Sequence, residues 1–189
     1  MDWTLRVWDP ATGQCLQTLK GHSDPVNCAA VLPDGRVLSG SWDGTLRVWD
    51  PATGQCLQRL EGHSDWVNCA AVLPDGRVLS GSNDGTLRVW DPATGQCLQS
   101  LEGHSASVRC AAVLPDGRVL SGSDDGTLRL WDPDTGACLD VLEGTEVDVS
   151  RMDLSRAELT PELAKLLRQN GARVPPPAER PRRGRGGTA

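Results

Sequence analysis

The chain has 189 residues, of which 38% are hydrophobic and 23% are charged, which is typical of one ordinary globular domain. The net charge is −6, because an acidic repeat region outweighs a basic extreme C-terminus. An acidic surface argues against nucleic-acid binding by this region as a whole. No apolar run suits a membrane helix, no secretory leader is recognisable, and seven Cys without a CxxC spacing favour reduced thiols in the cytoplasm.

A repeat of 41 residues runs from the start of the chain to about residue 144. All seven large aromatic residues are Trp, since the chain has no Phe and no Tyr, and four of them mark the repeat. Such a period is typical of arrays in which each unit buries its faces against its neighbours. The marker residues are Trp8, Trp49, Trp90 and Trp131, then His22, His63 and His104, and then Cys15, Cys56, Cys97 and Cys138.

Residues 1–20 match the second half of the repeat and therefore predict the third and fourth strands of a partial unit. Three full repeats follow at residues 21–61, 62–102 and 103–144. The first two full repeats are nearly identical, which indicates recent duplication. They differ only at the pairs Pro25/Trp66, Trp42/Asn83 and Arg59/Ser100.

Within the first full repeat, short segments of β-forming residues alternate with turn residues. They predict four strands, at residues 26–32, 36–41, 45–50 and 56–60. The segment Pro33-Asp34-Gly35 predicts the first turn. The dipeptide Asp43-Gly44 predicts the second, because it suits the positive φ angles of a tight hairpin.

After residue 144 the repeat decays. Residues 145–174 predict a degenerate strand at 149–154 and then a short helix, which Thr160 caps and Gly171 ends. Residues 175–189 are rich in Pro, Gly and Arg and predict a disordered basic tail. This tail lacks the aromatic residues on which single-stranded nucleic acid stacks, so solvated disorder is the favoured interpretation.

The paired elements Gly21-His22, Asp43-Gly44 and Trp49-Asp50 resemble the signature of the WD-repeat β-propeller family, and they recur in each full repeat. The near-identity of the units resembles the repeat arrays of bacterial and fungal recognition proteins. The resemblance implies an all-β fold of about three and a half four-stranded blades, followed here by the short C-terminal helix and the disordered tail. Propellers usually close with about 4 to 8 blades, so we expect a homo-oligomer that completes the ring, most simply a two-fold dimer.

The resemblance also implies a hydrogen-bonded chain of four side chains in each blade: the His after Gly, a Ser of the second strand, the Asp of the following turn and the Trp. An indole N–H, an imidazole and a hydroxyl between two sheets must each find a partner, so a structural role is expected. The residues are His22, Ser39, Asp43 and Trp49, then His63, Ser80, Asp84 and Trp90, and then His104, Ser121, Asp125 and Trp131.

The same residues also suggest two chemical alternatives, a catalytic site and a metal site. A Ser-His-Asp set suggests acyl transfer, but a set repeated in every blade lacks a single cleft or oxyanion site. Three His suggest zinc, but sheets about 10 Å apart cannot bring equivalent side chains to one ion, whose bonds to nitrogen are about 2.0 to 2.1 Å. We therefore predict no catalytic residue, no metal and no cofactor. The first-strand residues Cys28, Cys69 and Cys110 are expected to fill the core.

Several positions that differ between the repeats lie where the resemblance places the narrow top face, the usual contact face of WD-repeat proteins. The clustering is a tendency, since the third full repeat also differs at Leu130, Asp134, Ala137, Asp140 and Val141. Exposed Trp is enriched at binding hot spots, which favours recognition, and drift at unconstrained surface positions is the alternative. The predicted binding residues are Asp24, Pro25, Asn27, Trp42, Asp65, Trp66, Asn68, Asn83, Ser107, Arg109 and Asp124.

The sequence thus predicts a non-catalytic interaction scaffold or recognition module that holds a protein or peptide on its top face, with neither nucleic acid nor membrane as a partner. The alternative is a targeting or sensor fragment of a larger enzyme or signalling ATPase. The chain itself contains neither a GxxxxGK[ST] nor a GxSxG motif.

Overall fold

The computed structural model describes residues 2–143, which form fourteen strands in four antiparallel sheets. The predicted all-β fold is confirmed in this part of the chain. Within the same residues no helix is long and apolar enough to cross a membrane. The strand, helix and basic tail predicted for residues 145–189 lie outside the described residues.

Each full repeat supplies one four-stranded sheet, called a blade below, and the strands of each blade are paired in chain order. The half-blade consists of β1 (Leu5–Trp8) and β2 (Cys15–Leu19). Blade one contains β3 (Val26–Val31), β4 (Val37–Ser41), β5 (Leu46–Trp49) and β6 (Cys56–Leu60). Blade two contains β7 (Val67–Val72), β8 (Val78–Ser82), β9 (Leu87–Trp90) and β10 (Cys97–Leu101). Blade three contains β11 (Val108–Val113), β12 (Val119–Ser123), β13 (Thr127–Trp131) and β14 (Cys138–Glu143).

The turns between strands follow from the residues that the sequence analysis identified. Gly35 and Gly44 adopt φ angles of +87° and +77°, which side chains with a Cβ rarely tolerate. The amide of Leu32 donates to the carbonyl of Arg36 at 2.8 Å, so both residues already belong to the first turn. For this reason the first two predicted strands of the repeat are each one residue too long. The third is one residue too long at each end, and the fourth is correct.

The hydrophobic core lies between neighbouring blades. Leu38, Leu46 and Val48 of blade one are fully buried and pack in one cluster with Val67 and Trp90 of blade two. Blades two and three form an equivalent cluster around Trp131. Because each sheet is covered by the next sheet, burial of apolar area joins the repeats into one body.

The first strands of the blades lie side by side, since β3 contacts β7 and β7 contacts β11. Glycine in the second strand allows this close approach. A Cβ on Gly40 would lie 2.7 Å from Val67 Cγ1 in the next blade, and a Cβ on Gly81 would lie 2.7 Å from Val108 Cγ1. The same contact is therefore made at both junctions between full blades.

The Cys residues fall into two groups, and all seven are free thiols. Those of the first strands pack against the core as expected, and burial raises the pKa of Cys28 to about 12 and that of Cys110 to about 11. The outermost strands carry the exposed Cys15, Cys56 and Cys138, although Cys97 of β10 is partly buried against the core.

The half-blade lacks the two strands that would cover its Trp. Trp8 is 52% exposed, whereas Trp49, Trp90 and Trp131 are fully buried. At the other end, Gly126 is exposed and has open space around it, whereas the equivalent Gly85 lies against blade three. Both ends of the described array thus present surfaces that are buried elsewhere in it.

Candidate functional site

Two sets of connections lie at the same end of the sheets and define the top face. One set leads from the last strand of each blade to the first strand of the next blade, and the other joins the second strand of each blade to its third. In an antiparallel sheet paired in chain order, successive connections alternate between the two ends. The remaining turns, such as residues 32–36 and 50–55, therefore form the opposite, bottom face.

A chain of three hydrogen bonds connects the interior of blade one to its top face. Trp49 Nε1 donates to Ser39 Oγ, Ser39 Oγ contacts His22 Nε2, and His22 Nδ1 contacts Asp43 Oδ2, each at 2.8 Å. An ionised carboxylate only accepts, so the imidazole proton resides on Nδ1 and His22 Nε2 accepts the Ser39 hydroxyl proton. With a neutral imidazole, the indole, hydroxyl, imidazole and carboxylate of this hydrogen-bonded series are all paired.

The structure brings together the same four side chains in blades two and three, with the same distance of 2.8 Å at every step. All twelve residues that the sequence analysis assigned to this arrangement therefore lie where the resemblance implies. The sets are Trp90, Ser80, His63 and Asp84 in blade two, and Trp131, Ser121, His104 and Asp125 in blade three.

The network shifts the pKa values of its acids and bases. Burial alone would raise the pKa of Asp43, but hydrogen bonds from Thr45 and His22 outweigh it and hold this pKa at about 2. The carboxyls of Asp84 and Asp125 also have pKa values well below the usual range, for the same kind of reason. Burial lowers the pKa of His22 and of His104 despite the adjacent carboxylates, in agreement with neutral rings.

Two further residues of each repeat belong to this network and were missed by the sequence analysis. Thr45 Oγ1 donates to Asp43 Oδ1 at 2.6 Å. Ser41 Oγ donates to the carbonyl of Asp24 at 3.0 Å and accepts the amide of Asp43 at 3.1 Å. Both residues recur at the 41-residue spacing, and this recurrence could have identified them from the sequence. Together they fasten both top connections of a blade to each other.

The geometry is poorly suited to nucleophilic catalysis. Ser39 is fully buried, donates its single proton to His22 and accepts the indole N–H of Trp49. A substrate carbonyl would have to enter the core to reach this hydroxyl. Among residues 2–143, no group of three or more His, Cys, Asp or Glu is placed to hold a metal ion.

The variable residues between blades one and two form an aromatic contact, called junction one below. The indoles of Trp42 and Trp66 are stacked in parallel, with ring centroids 4.2 Å apart and an interplanar angle of 7°. The two residues remain 37% and 42% exposed. The carbonyl of Pro25 accepts the Trp42 amide at 3.0 Å, and Asp65 Oδ1 accepts the Trp66 amide at 2.7 Å.

The equivalent positions between blades two and three form a polar contact, called junction two below. Arg109 donates to Asp124 Oδ2 through Nε at 2.8 Å and through a terminal nitrogen at 2.5 Å. Its other terminal nitrogen donates to Asn83 Oδ1 at 3.2 Å, and Asn68 donates to the same oxygen at 2.8 Å. The guanidinium of Arg109, one of the predicted binding residues, is therefore already paired.

The remaining predicted binding residues adjoin these two junctions. Asn27 donates to the carbonyl of Asn68 across blades one and two at 3.1 Å, and the carbonyl of Ser107 accepts the Asp124 amide at 3.0 Å. Asp24, Pro25 and Asp65 lie in the connections that enter β3 and β7. The predicted binding residues thus lie in one band across the top face, whereas other differences between the blades, such as Asp134, lie elsewhere.

A groove of about 500 Å³ lies on the bottom face between blades two and three. Its two arginines are already paired, Arg77 with Asp75 and Asp134 and Arg118 with Asp116. None of the predicted binding residues lines this groove. The ion pair between Arg77 and Asp134 instead joins the blades.

Comparison with known proteins relates the repeat to a described sequence family. The family model "WD domain, G-beta repeat" matches residues 13–50, 54–91 and 95–132. Each matched segment contains the last strand of one sheet and the first three strands of the next, as β2 to β5 show for the first segment. The sequence unit is therefore offset from the blade.

Individual relatives match over about one repeat. The chain is 46% identical over 43 residues to an uncharacterised WD repeat-containing protein of Schizosaccharomyces pombe, which covers 22% of this chain and 12% of that protein. It is 45% identical over 42 residues to nuclear distribution protein PAC1 of Coccidioides posadasii, which covers 22% of this chain and 9% of that protein. These stretches thus span only about a tenth of those relatives.

A solved structure matches the whole described array. The WD40 β-propeller domain of Doa1 superimposes with a TM-score of 0.68 and 32% sequence identity, over 76% of this chain and 48% of that one.

Proposed function

The chain belongs to the WD domain, G-beta repeat family, and from this membership we propose that it is a non-catalytic recognition scaffold whose top face binds a protein or peptide. The propeller fold of this family generally mediates protein–protein interaction. The proposal assigns the binding surface to the two junctions described above.

The observation that carries the proposal is the contrast between a constant frame and a variable band. The Trp-Ser-His-Asp chain has identical distances in all three blades, so each blade holds its top connections in the same way. Side chains that differ between blades instead meet across the blade boundaries and remain partly exposed. A rigid frame with a varied surface is what selective recognition requires.

The test is replacement of Trp66 by Ala. Loss of a large, partly exposed ring at the centre of the face should weaken binding by about 2 kcal/mol or more, which is about 30-fold. Folding stability should change little, because Trp66 is 42% exposed and its main partner is another surface ring. Recovery of partners from the native lysate by the parent and the variant provides the measurement.

Leu57→Ala is the matched control, since Leu57 is 47% exposed on the outermost strand β6. It should recover the same partners as the parent. Equal recovery by all three proteins would contradict the proposed role of Trp66. Unfolding of the Trp66→Ala protein would instead contradict its assignment to the surface.

The same blades would also suit the targeting part of a larger enzyme or signalling ATPase. The observation that favours this second candidate is that the chain spans only 12% and 9% of the relatives named above. Further blades or a nucleotide-binding domain encoded in an adjoining reading frame would support it.

We also propose that the chain completes its ring with a second copy, because three full blades and a half-blade leave both ends uncovered. The half-blade of one copy would then lie beside blade three of the other. The exposure of Trp8 and Gly126, which are the open counterparts of buried residues, supports this arrangement.

A further inference from the structure

We propose that junction one is a cation site that takes an arginine or lysine side chain from an extended basic peptide of a partner protein. The inference rests on the proposed function of the top face and names the ligand class of that face. It follows from three features of the junction: its rings, its carboxylates and its difference from junction two.

The rings provide the first argument. In a parallel indole pair with centroids 4.2 Å apart, each ring covers one face of the other, and both residues still keep more than one third of their surface exposed. Trp is the aromatic side chain that binds cations best, because its ring face carries partial negative charge. A guanidinium plane stacks on such a face, and an ammonium group packs against it.

The carboxylates provide the second argument. Asp65 precedes Trp66 directly and Asp24 belongs to the connection that holds Trp42 through Pro25. Asp65 accepts the Trp66 amide, and Asp24 accepts the Ser23 hydroxyl at 3.5 Å, so both of these donors are neutral. Among residues 2–143 neither carboxylate forms an ion pair with an arginine or lysine, so their negative charge is available to a ligand.

Junction two provides the third argument, because it contains its own cation. Blade three carries Arg109 where the other blades carry Asn27 and Asn68, and Asp124 binds this guanidinium through two nitrogens. Blade three also carries Ala106 where the others carry Asp24 and Asp65. Junction one thus combines two indoles with two carboxylates, and the residues equivalent to Arg109 are Asn27 and Asn68 in blades one and two.

The charge of the whole chain agrees with a basic partner. With a net charge of −6, the protein attracts a cationic peptide and repels an acidic one at low salt. An extended segment suits a band that crosses two blade boundaries. One basic side chain would lie at the indole pair, and the backbone would continue towards the amides of Asn68 and Asn83.

The experiment measures binding of the full chain to a fluorescent peptide of Gly and Ser that carries three spaced arginines. The matched peptide carries citrulline, which keeps the shape of arginine and removes its charge. We expect the arginine peptide to bind and the citrulline peptide to bind at least about 10-fold more weakly. Equal binding of the two peptides would overturn the proposal.

Protein variants test the site. Trp66→Leu keeps an apolar side chain but removes the π-face. It should lower the affinity for the arginine peptide by about 3-fold to 30-fold. Asp65→Asn should weaken binding of the arginine peptide several-fold. Glu102→Gln is the control, because it changes the net charge by the same amount but lies in the connection to blade three. It should have no effect on binding. An equal effect of Asp65→Asn and Glu102→Gln would show general charge attraction and overturn the site. Trp42→Leu replaces Trp66→Leu if that variant shows an altered unfolding midpoint.

Two outcomes distinguish this proposal from the proposed function. If the arginine peptide does not bind while partner recovery from lysate still depends on Trp66, the proposed ligand class is wrong but the proposed recognition face is supported. If both fail, the recognition face is wrong as well. Binding that appears only after Arg180, Arg182, Arg183 and Arg185 are replaced by Gln would identify the chain's own tail as the occupant and overturn a partner ligand.

Discussion

Ser80 shows how much depends on single side chains in the core of a blade. Its hydroxyl accepts the indole proton of Trp90 and donates to His63, and all of its surface is buried. Loss of either partner would leave a buried polar group without a hydrogen bond, which costs about 1–3 kcal/mol. The network is thus a determinant of stability and lies away from solvent.

Replacement of Trp90 by Ala should therefore damage folding. The cavity alone should lower the free energy of unfolding by about 3–5 kcal/mol, and loss of the hydrogen bond that Ser80 accepts from the indole should add to this. Urea unfolding gives the measurement. Trp8→Ala is the control, because Trp8 is 52% exposed, and it should cost less than about 1 kcal/mol in the isolated chain. Similar losses in the two variants would contradict a buried network.

Acid should destabilise the fold in two stages. His22 and His104 have lowered pKa values, so the unfolded state binds protons first, and their contribution is complete above about pH 6.5 and declines below it. The pKa of Asp43 is about 2 in the folded state, so its contribution is present above about 3.9 and is lost as the pH falls towards 2. Urea midpoints from about pH 8 down to pH 3 measure this dependence, and a constant midpoint between pH 8 and 5 would contradict it.

At the scale of elements, the contact between blades can be tested with a pair of equivalent glycines. Gly85 and Gly126 have φ angles of +82° and +80°, so alanine should strain both turns by about 1–2 kcal/mol. A Cβ on Gly85 would also lie 3.2 Å from the carbonyl oxygen of His104 in the next blade, whereas a Cβ on Gly126 meets open space. In the monomer, Gly85→Ala should therefore lower the unfolding midpoint further than Gly126→Ala. Equal midpoints would show that the turn does not fix the blade spacing.

The strands and turns could be predicted from the sequence because they depend on local residue order. The 41-residue period located the four strands of each blade, and Asp43-Gly44 located a turn. Contacts between blades depend on which side chains face each other across two sheets. The stacking of Trp42 on Trp66 and the pairing of Arg109 with Asp124 were therefore beyond the sequence pattern, although all four residues were identified as variable.

At the scale of the whole molecule, the described array is shorter than a closed propeller. Blades one and two cover each other, as do blades two and three, and the half-blade and blade three each have an open side. A two-fold dimer would bring six full blades and two half-blades into one ring, and the missing strands would have to come from residues 144–189 or from a ligand. Trp8 would then pass from an exposed to a buried environment.

We therefore expect light scattering to give the mass of a dimer, and electron microscopy to show a ring. Gly126→Ala should lower the dimer fraction, because Gly126 would occupy the place in the new contact that Gly85 occupies between blades two and three. Its effect on the free energy of unfolding of the monomer should be limited to the strain in its own turn. Trp8→Ala should likewise lower the dimer fraction. A well-folded monomer over the accessible concentration range would contradict this assembly.

The contact that Gly40 makes with Val67 and Gly81 makes with Val108 has a consequence for the history of the gene. Because every unit offers the same two surfaces, unequal recombination between the near-identical repeats would insert or delete 41 residues without creating a junction of a new kind. Each matched segment also supplies the last strand of one blade and three strands of the next, so an inserted unit is held by the blades on both sides. Array length and surface residues can therefore change independently, and alleles that differ by whole blades would keep the same core.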